Sequence, residues 1–191
     1  MIQPVLAVAA AAVVAASPAV ATPTAGDRLP AGFALPDQGG TTRSLASLSG
    51  PNGLVLVFAR SAGWCPVCQR QMVELKDAAK PLAAKGYGLA VLTYDATPVL
   101  EKFHTRQGLP YPLLSDNGSA TIRALGLVDP QYPPGNLAHG VPLATVLVVD
   151  RAGVIRAANV SPDYRIRPGV TDIIALAPAR GPAPARSAPC S

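Results

Sequence analysis

Soft metal ligands are scarce in this chain: 191 residues hold three cysteines and two histidines. A structural zinc site needs four ligands, and Cys65, Cys68 and Cys190 with the scattered His104 and His139 do not make one by spacing. Charge is scarce too. Asp, Glu, Lys and Arg together make 14% of the chain, against about 25% in an ordinary soluble domain. The net charge is +5, yet the basic residues stand singly at Arg28, Arg43, Arg60, Arg70, Lys76, Lys80 and Lys85. The nearest approach to a cluster is Arg165 with Arg167. Counterion-driven binding needs several cations on one surface, so the pattern argues against a nucleic-acid partner. Internal repeats are missing as well. The longest apolar run, Val5 to Ala16, falls short of the roughly 20 residues that span a bilayer.

What is present begins with that run. It is alanine-rich, is broken by Ser17-Pro18 and is followed by Ala19-Val20-Ala21. This is the layout of a secretory signal peptide over residues 1–21, although no Lys or Arg precedes the apolar stretch. The mature chain is expected to begin near Thr22, to be periplasmic or secreted, and to keep no membrane insertion after cleavage. Residues 22–32 read as an extended linker and 33–177 as one folded domain. Residues 178–191, rich in Pro, Ala and Arg, read as a disordered tail. Cys190 lies in that tail and is expected to be idle. Outside the cytoplasm cysteines can remain oxidised.

Within the domain, Phe33 to Leu48 reads as a hairpin turning at Asp37-Gln38-Gly39-Gly40. Leu54 to Ala59 is a continuous apolar run, the mark of a strand buried on both faces. Pro66 suits the first position of a helix, where its missing N–H is no loss. Met72, Leu75, Ala79 and Leu82 recur at helical spacing, and Pro81 is expected to bend or end that helix near Lys80. There follow a strand over Tyr87–Thr93, a helix over Pro98–Arg106, a short strand within Tyr111–Asp116 and a short helix over Thr121–Leu125. Asp129 to Leu137 is a loop. A closing hairpin pairs Thr145–Val149 with Val154–Ala158 across Asp150-Arg151-Ala152-Gly153, and a last helix covers Val170–Leu176. Alternating strands and helices imply an α/β fold: parallel central strands made mixed by the closing hairpin, with helices on both faces.

The chemistry concentrates in Ser61-Ala62-Gly63-Trp64-Cys65-Pro66-Val67-Cys68-Gln69, between a buried strand and a helix start. Free N–H groups and a partial positive charge at a helix N-terminus favour a thiolate. Two cysteines separated by two residues there favour a lowered thiol pKa and a reversible disulfide. Cys65 is expected to attack and Cys68, one turn in and shielded, to resolve. A purely structural disulfide is the weaker reading, because so short a loop yields little chain entropy. Arg60 is either a cation that helps a thiolate or a solvated charge at the strand end. Trp64 is expected to shield the site, or else to cover core. His104 reads as solvent-facing, and His139 as a loop histidine without a fixed partner.

These residues resemble the redoxin superfamily, specifically the alkyl hydroperoxide reductase C and thiol-specific antioxidant family of peroxiredoxin-like proteins. Trp64-Cys65-Pro66-Val67-Cys68 resembles the Trp-Cys-x-x-Cys of thioredoxins, and Tyr111-Pro112-Leu113-Leu114-Ser115-Asp116 a Tyr-Pro-Leu-Leu-Ser-Asp segment of peroxiredoxins. Gly140-Val141-Pro142 through Val148-Val149-Asp150 and Gly153 resembles the family's closing hairpin, over a likeness covering roughly residues 28–177. The resemblance implies a thioredoxin-like fold and makes Pro142 the counterpart of the cis-proline that faces the cysteine pair. The departures concern peroxide chemistry. The family motif Pro-x-x-x-Thr-x-x-Cys falls on Ser61 and Cys65 when aligned on Cys68, and on Phe58 and Ala62 when aligned on Cys65. The family's second active-site arginine falls on Ala144.

The function expected is therefore thiol–disulfide exchange, with no cofactor and no resident metal. Its partners are protein or small-molecule disulfides or peroxides together with a thiol reductant. One alternative is a thiol peroxidase with Cys68 or Cys65 peroxidatic. Another is an exported copper carrier holding Cu(I) on Cys65, Cys68 and His139, since soft thiolates with an imidazole suit that ion.

Overall fold

A computed structural model describes residues 21–178. The proposed signal peptide up to Val20, the tail from Ala179 and Cys190 lie outside the described residues. Elements follow in the order β1 (Ala34–Pro36), β2 (Thr42–Ser44), α1 (Leu45–Leu48), β3 (Gly53–Phe58), α2 (Pro66–Glu74), α3 (Lys76–Ala84), β4 (Tyr87–Thr93) and α4 (Thr97–Gln107). Then come β5 (Leu113–Ser115), α5 (Ala120–Ala124), β6 (Ala144–Val149), β7 (Ile155–Ser161) and α6 (Val170–Leu176).

The main sheet has five strands in the order β5-β4-β3-β6-β7. β3, β4 and β5 run parallel, whereas β6 and β7 join antiparallel. This is the mixed sheet the sequence implies. β3 sits at its centre with every residue buried, and the two-residue period of a strand divides its side chains between two cores. Val55 and Val57 pack with Met72, Leu75, Leu82, Leu100, Phe103 and Ile173, from the helices α2, α3, α4 and α6. Leu54, Leu56 and Phe58 face the opposite way, against Leu29, Phe33, Leu48, Ile122 and Leu127. A strand with apolar neighbours on both faces has no position for a polar side chain, which is why the run is continuous.

Three boundaries differ from expectation. The long helix is interrupted at Leu75, where the Ala78 N–H bonds to the Leu75 carbonyl in a tighter turn, and Pro81 sits inside α3 on its exposed side. The proline ring therefore costs one intrahelical bond where water can replace it. The hairpin expected over Phe33–Leu48 closes early, and its last residues form α1, capped by the Ser44 hydroxyl that accepts from the Ser47 N–H. The stretch read as a linker is extended but tied down: the Gly26 N–H donates to the Ile155 carbonyl and the Leu29 N–H to the Gly153 carbonyl.

Candidate active site

The loop leaving β3 brings the chain from the sheet centre to the start of α2. Cys65 is the N-cap of α2, with φ −98° and ψ 99°, and its sulfur accepts the Cys68 N–H at 3.3 Å. Pro66 occupies the first helical turn as expected. Cys65 and Cys68 are joined in a disulfide with their Cα atoms 5.2 Å apart. Both are buried, Cys65 at 2% exposure and Cys68 at 0%.

The approach loop is held by a carboxylate that sequence reading did not single out. Asp95, just past the end of β4, accepts from the Ser61 hydroxyl at 2.7 Å, the Ala62 N–H at 2.6 Å and the Thr93 hydroxyl at 2.9 Å. Burial raises its pKa above the ordinary 3.8, and the three hydrogen bonds oppose that rise. Ser61 in turn accepts from the N–H groups of Gly63 and Trp64. The Gln69 amide donates to the carbonyls of Ala62 and Gly63, closing the loop onto α2.

Arg60 is not a solvated charge. It is 2% exposed, because aromatic rings from three segments enclose it. Its guanidinium carbon lies 5.3 Å from the centre of Trp64, 4.8 Å from Tyr132 and 4.0 Å from Tyr164. Nη2 donates to the Tyr132 hydroxyl at 2.5 Å, while the buried Nε has no partner. Trp64 covers this cation rather than core. It is half exposed, meets Tyr94 edge-on and donates its indole N–H to the Tyr94 hydroxyl at 2.9 Å.

The cation on the sulfur is a different one. Arg167, in the loop between β7 and α6, places Nη2 3.2 Å from Cys68 Sγ. Its Nη1 donates to Gln71 Oε1 at 2.6 Å and its Nε to the Tyr164 carbonyl at 2.8 Å. Burial, then the neighbouring Arg60, pull its pKa down to about 10. The separation of 99 residues from Cys68 hides this contact from any local pattern. The only sequence signal was the proximity of Arg165 and Arg167.

Two expectations are corrected. All peptide bonds among the described residues are trans, so Pro142 is not a cis-proline; it pairs with Val128 in an isolated bridge. His139 does not join the cysteines. Its Nδ1 bonds to the Tyr132 carbonyl at 2.8 Å, and no group of three metal-binding side chains forms among the described residues.

A family model described as AhpC/TSA family matches residues 25–158. A Mycobacterium tuberculosis protein provisionally named a peroxiredoxin is 33% identical over 136 residues, covering 71% of this chain and 84% of its own. The crystal structure of peroxidoxin BcpB from Mycobacterium tuberculosis superposes with a TM-score of 0.65 at 27% identity, over 80% of this chain and 95% of that one. Peroxiredoxin Q of Xanthomonas campestris gives a TM-score of 0.62 at 21% identity, over 75% and 88% of the two chains, a likeness of fold.

Proposed function

The chain belongs to the AhpC/TSA family of thiol-dependent oxidoreductases, and on that premise we propose that Cys65 and Cys68 are its working pair. The pair would cycle between dithiol and disulfide at the expense of a peroxide or disulfide on one side and a thiol reductant on the other. The observation that carries this reading is the disulfide itself, seated at the N-cap of α2.

The cycle balances with these two sulfurs alone. A cysteine thiolate attacks a peroxide oxygen, an S–O bond forms and the O–O bond breaks, and the departing oxygen takes a proton as alcohol or water. The sulfenic acid is then attacked by the second thiol, which forms the disulfide and releases water. An external dithiol reduces the disulfide by exchange and leaves oxidised. With a disulfide substrate the first step forms a mixed disulfide in place of the sulfenic acid. The helix end favours a thiolate at the pair, with Cys65 at the N-cap and Cys68 in the first turn, and the side-chain cation there touches Cys68.

The test uses three variants, Cys65→Ser, Cys68→Ser and Cys190→Ser, mixed with a disulfide substrate and run on a gel without reductant. Loss of either paired cysteine is expected to stop turnover, one variant stalling as a trapped adduct and the other not reacting. Cys190→Ser is expected to turn over like the parent. Turnover by the Cys65→Ser or the Cys68→Ser variant would sink the two-cysteine cycle.

We also propose that the protein works outside the cytoplasm, in an oxidising compartment where such a pair needs a dedicated reductant. Support comes from the alanine-rich run before Ala19-Val20-Ala21.

A further inference from the structure

Arg60, which is buried, and Arg167, which is partly buried, lack what cations drawn out of water ordinarily have. Neither forms an ion pair with a carboxylate among the described residues, where the salt bridges belong to Arg43, Arg156 and Arg165. The two share Tyr164: its ring stacks on Arg60 and its carbonyl holds Arg167. Two neighbouring guanidinium groups, one buried and one partly buried, that face no anion are costly. Opposite them lies a disulfide, which is neutral.

We propose that the Cys68 thiolate of the reduced protein is the missing counter-ion, held by Arg167 with Arg60 behind it, so that Cys68 is the attacking sulfur and Cys65 the resolving one. The proposal rests on the reading of this pair as redox-active and goes beyond it by assigning the roles and naming the cation. Arg167 is already aimed. Gln71, one turn after Cys68 on α2, and the Tyr164 carbonyl fix two edges of the guanidinium, leaving Nη2 on Cys68 Sγ. The helix end does not decide between the sulfurs, because Cys65 at the N-cap and Cys68 in the first turn both feel it. Asp95 is engaged by the Ser61 hydroxyl and the Ala62 N–H and pairs with neither guanidinium. Arg70, Glu74 and Arg165 line the cleft of about 300 Å³ that Arg167 borders.

The consequence is an altered proton count. Reduction by a dithiol follows R(SH)₂ + S–S → R(S–S) + Cys65–SH + Cys68–S⁻ + H⁺. One proton is released for each pair reduced, so the equilibrium constant against dithiothreitol should rise about tenfold per pH unit across neutrality. A pair with two ordinary thiols would release none and show no slope. Arg167→Gln is expected to flatten the slope and Arg167→Lys to keep part of it, since lysine preserves charge but not the fork.

A second measurement does not depend on the equilibrium. In the Cys65→Ser, Cys190→Ser background, Cys68 is the one remaining thiol. Its alkylation by iodoacetamide at neutral pH should slow about tenfold when Arg167→Gln is added. On the gel described above, the same assignment expects Cys65→Ser to accumulate the adduct and Cys68→Ser to remain unreacted. Far-ultraviolet circular dichroism of each variant separates unfolding from a lost charge, and Arg167→Lys keeps the test open if Arg167→Gln does not fold. An unchanged slope and an unchanged alkylation rate, or an adduct trapped by Cys68→Ser, would overturn the assignment. Failure of the parent protein to consume peroxide or exchange disulfides would instead overturn the proposed function, because both thiol titrations proceed without turnover.

Discussion

Asp95 holds three donors on two carboxylate oxygens, and that geometry rather than its charge makes it hard to replace. Asp95→Asn would keep the shape but turn an NH₂ group toward an N–H or O–H. Leaving buried donors unpaired costs about 1–3 kcal/mol, and urea unfolding should read a loss of that order. The charge works the other way. Because burial raises the folded pKa above 3.8, the folded state binds this proton more tightly than the unfolded chain. Its contribution is therefore greatest below pH 3.8 and is lost as pH rises through the raised folded value. The Asn variant should lack that component of the pH profile, and an identical profile in parent and variant would show that Asp95 is not its source. Asp95 was not legible in the sequence, since nothing near Ser61 announces a partner 34 positions on. Arg60 was legible as a candidate, but only the three surrounding rings decide that it is buried.

At the scale of elements, the strands were legible because their chemistry is local. β4 was expected and found at Tyr87–Thr93, and α6 at Val170–Leu176. What the pattern did not show is how closely elements approach. Gly88 in β4 faces the end of α1: a Cβ there would meet the Leu48 carbonyl oxygen at 1.9 Å. The obstacle is backbone and cannot rotate away, so α1 or the strand must move. Gly88→Ala is expected to destabilise the protein by about 3 kcal/mol or more, at the upper end of overpacking effects. A thermal melt would check it, and a variant as stable as the parent would mean that α1 docks loosely. The misplaced helix break has a similar origin. Pro81 signals a break wherever a helix is surrounded by packing, but in α3 it faces water, and the interruption falls at Leu75 instead.

At the scale of the whole molecule, the described residues are built around one main two-sided sheet, and the cysteine pair sits where β3 gives way to α2. Mature protein recovered from the medium or periplasm of an expressing cell is expected to begin near Thr22, as N-terminal sequencing would establish. A soluble cytoplasmic form retaining Met1 would overturn export. By itself the sequence determined the α/β class, the order of the main-sheet strands and the cysteine pair at a helix start, and its motifs carried the family resemblance. The first three follow from neighbours in the chain: apolar period, proline position and two-residue spacing. The tertiary structure alone decided which charges reach the pair. Arg167 reaches Cys68 from the loop between β7 and α6, which also brings Tyr164 to Arg60, while Tyr132 comes to Arg60 from the loop between α5 and β6 and Asp95 holds the approach loop from the end of β4. Electrostatics acts through space at a few ångströms, and only the folded sheet sets which residues lie that close.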